Sequence, residues 1–142
     1  MIVGRVSLTY RRQGVIAYTG NCMSTILLVE DNLDMQMLLR DLLGLGGHEV
    51  LLARTGEEAL EVLQECGDLL PDIIISDVTM PIMDGYELLE AVRAEPAWAN
   101  IRFVMMSANL SDERLTTLAG LDGIFPKPFS LDELRVALGV TS

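Results

Sequence analysis

The chain has 142 residues, half of them apolar and 22% charged, which suits one globular domain with room for a core. Its net charge of −11 and its few aromatics disfavour nucleic-acid binding, which needs cations for phosphates and rings for bases. Metal cations and basic partner surfaces suit it better. Cys22 and Cys66 lie far apart without metal-ligand spacing and read as thiols of a reducing, cytoplasmic setting. No stretch approaches the roughly 20 apolar residues of a membrane helix.

Residues 1–23 differ from the rest. "VSLTY" and "VIAYT" alternate apolar and polar residues around "RRQG", as a hairpin does. A lone two-stranded hairpin is marginal, so this segment is expected to be a disordered or loosely attached extension, or sequence upstream of a start at Met23. It carries Arg5, Arg11 and Arg12 but no signal-peptide run. Without those arginines the remainder stands at about −14.

Residues 24–142 form the domain proper. The short apolar runs "TILLV", "HEVLLA", "DIIIS", "RFVMMS" and "GIFP" follow one another, separated by helical patterns over roughly 33–46, 55–66, 84–95, 111–119 and 130–138. Unbroken apolar strands alternating with helices predict an α/β fold, a doubly wound parallel sheet of five strands covered on both faces. Thr55 with Glu58, and Ser130 with Glu133, have capping-box spacing. "GLGG" at 44–47 ends the first helix; it follows a helix rather than a strand, so it is a poor dinucleotide fingerprint. Met35, Leu38, Leu39 and Leu42 are expected to face the core, with Leu33 and Met37 on the opposite side, near the strand ends, where they could dock a partner helix.

Ligands of open parallel sheets bind beyond the carboxyl ends of the strands. The first strand delivers Glu30 and Asp31 there, the third Asp77, the fourth Ser107 and the fifth Lys127, while the second ends blandly at Ala53 and Arg54. Carboxylates about 4 Å apart repel by about 4 kcal/mol per pair at an effective dielectric near 20. One must then take up a proton, or a cation must join them. Hard oxygen ligands suit Mg²⁺, which also suppresses repulsion between an attacking carboxylate and a phosphoryl group. Lys127 is the only lysine in the chain; a flexible ammonium can reach a single phosphate oxygen without planar, two-pronged geometry. The single histidine, His48, starts a strand away from these acids.

"ILLVEDN", "IIISDVTMPIMDG", "FVMMSA" and "FPKPF", in this order and at these intervals, resemble the receiver domain of two-component response regulators over about residues 24–139. The resemblance implies a flavodoxin-like fold with strand order 2-1-3-4-5, the order known from a member of this family. It implies Asp77 as phospho-acceptor, with Asp31, Asp77 and the Thr79 carbonyl as Mg²⁺ ligands and Glu30 acting through an intervening water. Ser107 would hydrogen-bond the phosphoryl group and Lys127 would pair with it, and the Lys127–Pro128 bond would be cis. The donor would be a phosphohistidine on a sensor histidine kinase or a histidine phosphotransfer protein. Thr79 and Asn109 fall where the family tunes phosphate lifetime. Three residues before the lysine, where the family carries tyrosine or phenylalanine, stands Ile124, a departure from the serine-to-aromatic relay. Phe125 is expected on the other face of the sheet.

An aspartyl-phosphate hydrolase would also use a strand-end aspartate and Mg²⁺, but it requires a second aspartate two residues on, where Thr79 stands. A receiver-shaped module that binds without phosphorylation would be expected to lack an acid or the lysine, and all are present. The favoured reading is a cytoplasmic phosphoprotein module with no turnover beyond its own phosphotransfer and dephosphorylation. About a dozen residues follow Ser130. No DNA-binding output domain is expected there, so the signal would pass by binding a downstream protein or by phosphorelay.

Overall fold

The computed structural model describes residues 24–45, 47–108, 113, 115 and 118–127, with the backbone of 6–8 and 17–19. In chain order its elements are β1 (Val6–Leu8), β2 (Ala17–Thr19), β3 (Thr25–Val29), α1 (Leu33–Leu45), β4 (Glu49–Ala53), α2 (Gly56–Cys66), β5 (Ile73–Asp77), α3 (Gly85–Ala94), β6 (Arg102–Ser107) and β7 (Gly123–Pro126). A short 3-10 turn spans Pro96–Trp98. Of the helix expected over 111–119, Glu113 and Leu115 are helical. Asn109, Pro128 and the final helix expected over 130–138, with Ser130 and Glu133, lie outside the described residues.

β1 and β2 pair antiparallel, Val6 opposite Thr19 and Leu8 opposite Ala17. The other five strands form one parallel sheet in the order β4-β3-β5-β6-β7. Counted over its own strands this is 2-1-3-4-5, the doubly wound order that the resemblance implies. Strand order reverses at the β3–β5 pair, where one connection leads to β4 and the later one leads away to β6. The two faces separate by the two-residue period of a strand. Leu27, Val29, Ile74, Phe103 and Met105 join Leu63, Leu88 and Val92 of α2 and α3 in the larger core. Ile26, Leu28, Ile73, Ile75, Val104 and Met106 meet Leu39 and Leu43 of α1 on the other side. Because both faces are covered, these strands are apolar throughout rather than alternating. Trp98 is half-buried against the larger cluster. Among the described residues no helix is long and apolar enough to cross a membrane.

One expectation about α1 needs correcting. The buried residues of the helix are Gln36, Leu39 and Leu43, spaced i, i+3 and i+7. Leu38 is 53% exposed, and Met35 and Leu42 are only half-buried. The helix carries leucine at 33, 38, 39, 42, 43 and 45, more apolar surface than one stripe can bury. The sheet selects the stripe centred on Leu39 and Leu43, and Leu38 lies about 100° round the axis from Leu39. Leu33 and Met37 are exposed, as expected.

Local chemistry sets the helix ends. Asn32 caps α1, its Oδ1 accepting from Met35 N at 2.9 Å. At the other end His48 N donates to Leu43 O and Gly47 N to Gly44 O, with Gly47 at φ 88°, a Schellman closure within the "GLGG" stretch. Thr55 caps α2 by accepting from Glu58 N at 3.0 Å. The full reciprocal capping box stands at Asp84 and Glu87, opening α3. In the last turn of α3, Arg93 donates to the carbonyls of Gly120 and Ile101 and to Asp122 Oδ2. The same Asp122 oxygen accepts from Phe103 N at 2.8 Å, which ties α3 to the starts of β6 and β7.

Gly85, the first residue of α3, permits a close backbone approach to the end of β5. Its N–H donates to Val78 O at 2.8 Å, and a Cβ added there would stand 2.6 Å from the carbonyl oxygen of Asp77. Gly85→Ala must therefore push α3 away from the end of β5. Urea denaturation should show a loss of about 3 kcal/mol. Gly44→Ala is the control: nothing lies within 4 Å of its added Cβ, and helix propensity should stabilise it by about 0.5–1 kcal/mol.

Candidate functional site: an acidic cleft at the strand ends

β3 and β5 pair in register up to Val29 and Ser76, and the next residues are Glu30, which follows β3, and Asp77, which ends β5. Glu30 remains in the ladder, its N–H donating to Ala53 O of β4 at 3.1 Å. Its side chain is 1% exposed and accepts from Asn32 N at 3.2 Å through Oε2. Asn32 thus links the acid to the helix it caps. Asp31 is half-buried beside it. Oxygens from Glu30, Asp31 and Asp77 all lie within 4.8 Å of one another.

Lys127 follows β7, held by its N–H to Ser107 O at 2.9 Å. From there its stem crosses the sheet, and Nζ donates to Glu30 Oε1 at 2.7 Å and to Asp77 Oδ2 at 2.8 Å. The other Asp77 oxygen, Oδ1, accepts from Thr79 N at 3.3 Å. Ser76, fully buried, donates its hydroxyl to Asp77 O at 2.9 Å. Ser107 is buried at the end of β6, one residue beyond Met106, which pairs with Asp77. The structure therefore gathers Glu30, Asp31, Asp77 and Lys127 into one cluster, joins Thr79 to Asp77 through its backbone and places Ser107 on the neighbouring strand end.

One ammonium stands among three carboxylates and bonds two of them, Glu30 and Asp77. Burial raises the Glu30 carboxyl above its ordinary 4.5; the Lys127 hydrogen bond opposes this and the Asp77 charge adds to it. Burial pulls Lys127 down, but the bonds to Asp77 and Glu30 outweigh it and hold the amine above 10.5. These directions agree once stoichiometry is counted. The lysine has two partners and stays charged, whereas Glu30 has half a cation and a like-charged neighbour. The leftover negative charge calls for a proton or a further cation. Neighbouring and opposite oxygens around a six-coordinate ion with bonds of 2.0–2.1 Å stand about 2.9 and 4.2 Å apart. The three carboxylates need little movement to meet that, so they could hold a divalent ion.

Gln36, Asn32 and Gly85 support this cleft; the sequence marks Gly85 as part of the turn that leads the chain away from Asp77, but gives Gln36 and Asn32 no role there. The signal for Gln36 was a polar residue interrupting the apolar stripe of α1. The loop after Asp77 holds Ile82 at φ 70° and 82% exposed. A β-branched residue is strained there by about 1–3 kcal/mol. Met83 lies over the start of α2, its side chain filling the space that a Cβ on Gly56 would take. His48 is buried at the opposite end of the sheet from the acids, its Nδ1 without a hydrogen-bond partner among the described residues. Ile124 is half-buried against the larger core, and the side chain of Phe125 lies outside the described residues.

A doubly wound parallel sheet with an acidic crevice at the reversal of strand order defines the class of the protein. The family model described as "Response regulator receiver domain" matches residues 26–139. The chain is 37% identical over 112 residues to the transcriptional regulatory protein CpxR of Escherichia coli, covering 79% of this chain and 46% of that protein. It is 36% identical over 113 residues to the sensor histidine kinase TmoS of Ectopseudomonas mendocina, covering 78% of this chain and 11% of the kinase. It thus spans less than half the length of these curated relatives. Chemotaxis protein CheY4 of Vibrio cholerae superposes with a TM-score of 0.76 at 32% identity, over 83% of this chain and 98% of that one. The receiver domain of sensor histidine kinase PA1611 from Pseudomonas aeruginosa, described with a magnesium ion coordinated in its active-site cleft, gives 0.70 at 28%, over 82% and 95%. The chain belongs to the response regulator receiver domain family of two-component systems.

The raised Glu30 carboxyl fixes the sign of a pH effect. The native state holds this proton more tightly than the unfolded chain, whose glutamate titrates near 4.5. Without added divalent cation, stability should fall as pH rises from 4.5 through the native value of Glu30. Urea midpoints measured against pH should show this slope in the parent protein and a flatter profile in Glu30→Gln. An unchanged profile would show that Glu30 does not hold the proton.

Proposed function

We propose that this receiver domain accepts a phosphoryl group on Asp77 and works with Mg²⁺. The observation that carries the reading is the cluster of Glu30, Asp31 and Asp77 oxygens with the Lys127 ammonium bound across two of them. Asp31, Asp77 and the Thr79 carbonyl would hold the ion directly, and Glu30 through water. The bound ion would offset repulsion between the Asp77 carboxylate and the incoming phosphoryl group. The magnesium described in the PA1611 receiver cleft supports the same assignment here.

In the transfer, a carboxylate oxygen of Asp77 attacks phosphorus while the phosphorus–nitrogen bond of a donor phosphohistidine breaks, its electron pair returning to the imidazole. Lys127 exchanges its bond to Asp77 for one to a phosphoryl oxygen, so its charge stays paired. Ser107 donates a hydrogen bond from the neighbouring strand end, and Ser76 and Thr79 hold the backbone and carboxylate of Asp77 in place. Relatives that are sensor histidine kinases support a kinase or histidine phosphotransfer protein as the donor. Exposed Leu33 and Met37 on α1, with Ile82 after the acceptor strand, offer such a partner apolar contacts beside the cleft. The domain turns over no external substrate and signals in the cytoplasm through a protein target or onward relay. Its net charge of −11 repels a phosphate backbone, which favours a protein partner over nucleic acid.

Incubation with Mg²⁺ and a small acyl-phosphate donor, followed by intact mass measurement, tests this. The parent protein should gain the mass of one phosphate, and Asp77→Asn or a chelator should abolish the gain. An unchanged mass with Mg²⁺ binding separately verified would instead make the protein a receiver-shaped module that binds without phosphorylation.

A further inference from the structure

We infer that Gln36 is a positioning residue for the metal-binding acids, setting the peptide that joins Glu30 to Asp31; this rests on the Mg²⁺ reading above. Gln36 lies on the sheet-facing stripe of α1 with Leu39 and Leu43 and is 3% exposed, where an apolar side chain would fill the space without polar atoms to satisfy. Its Nε2 donates to Ala53 O at 3.0 Å and to Glu30 O at 3.3 Å. These carbonyls stand where β4 and β3 leave the sheet, at the edge that carries the acids.

The bond to Glu30 O matters most. That carbonyl belongs to the peptide unit whose nitrogen is Asp31's, so its tilt sets the directions in which both acidic side chains leave the backbone. The preceding peptide is fixed as well, because Glu30 N donates to Ala53 O, the oxygen that also receives Gln36. Glu30 is thus held on both sides of its Cα. Gln36 is anchored in turn, its own N–H donating to Asn32 O at 2.9 Å. Asn32 N meets Glu30 Oε2 and Asn32 Oδ1 caps α1. Helix start, two strand ends and the acid pair form one closed hydrogen-bonded circuit in which Gln36 supplies the cross-link. Loss of such outer supports typically weakens metal binding by about 10–100-fold, since displacement of a ligand by a fraction of an ångström is enough.

Gln36→Met keeps the length of the side chain and removes both donors, and Gln36→Arg offers planar N–H groups to the two carbonyls again. Titration calorimetry should show Gln36→Met binding Mg²⁺ at least about 10-fold more weakly than the parent, with a metal-free melting temperature near the parent's. Gln36→Arg should recover most of the affinity. Parent-like affinity in Gln36→Met, or a loss that Gln36→Arg does not recover, overturns the inference while leaving the Mg²⁺ reading intact. A parent protein that binds no Mg²⁺ overturns both. Should Gln36→Met fail to fold, the side-chain amide protons of Gln36 in the parent decide: they should shift on Mg²⁺ titration with the midpoint of the Asp31 and Asp77 backbone amides, and no shift overturns the inference.

Discussion

Three carboxylates and one ammonium at the end of a sheet define this molecule. Glu30, Asp31 and Asp77 bring oxygens within 4.8 Å of one another, and Lys127 is shared between two of them. A carboxylate as buried as Glu30 is tolerable only when paired and hydrogen-bonded. The Lys127 contact therefore makes the metal-free cleft possible, and the charge left over makes it receptive to a further cation. Stability and function draw on the same imbalance.

Strand order makes that contact possible. β3 and β5 are neighbours, so the residues that follow their apolar stretches stand side by side. After these strands α1 packs on one face of the sheet and α3 on the other. The two helices diverge and leave a crevice over the acids, as at other reversal points in doubly wound sheets. Lys127 directly follows β7, which lies two positions beyond β5 in the sheet, and a long unbranched stem spans that distance where a shorter side chain would not.

Around the charges sits a layer of local devices, each with one task. Gly85 lets α3 begin against the carbonyl of Asp77, and the Asp84–Glu87 box fixes that helix start. Asn32 joins Glu30 to the cap of α1. The exposed, strained Ile82 departs from this economy. Backbone strain concentrates where a loop is held for function, and this loop leaves β5 directly after Asp77.

By itself the sequence determined the five strands, the helices α1, α2 and α3, the family and the acids at the strand ends. Each of these depends on a local pattern: an apolar run, a 3.6-residue period, or the residue that directly follows a strand. Tertiary structure alone decided which stripe of α1 is buried, because the helix offers more leucine than one face can use, so Leu38 is turned to solvent and Gln36 inward. It also decided how charge is shared, since Lys127 meets Glu30 and Asp77 across 97 and 50 residues of chain. The physical reason is range: periodicity and propensity act over a few residues, whereas a hydrogen bond between distant segments exists only once strand order and register have placed them side by side.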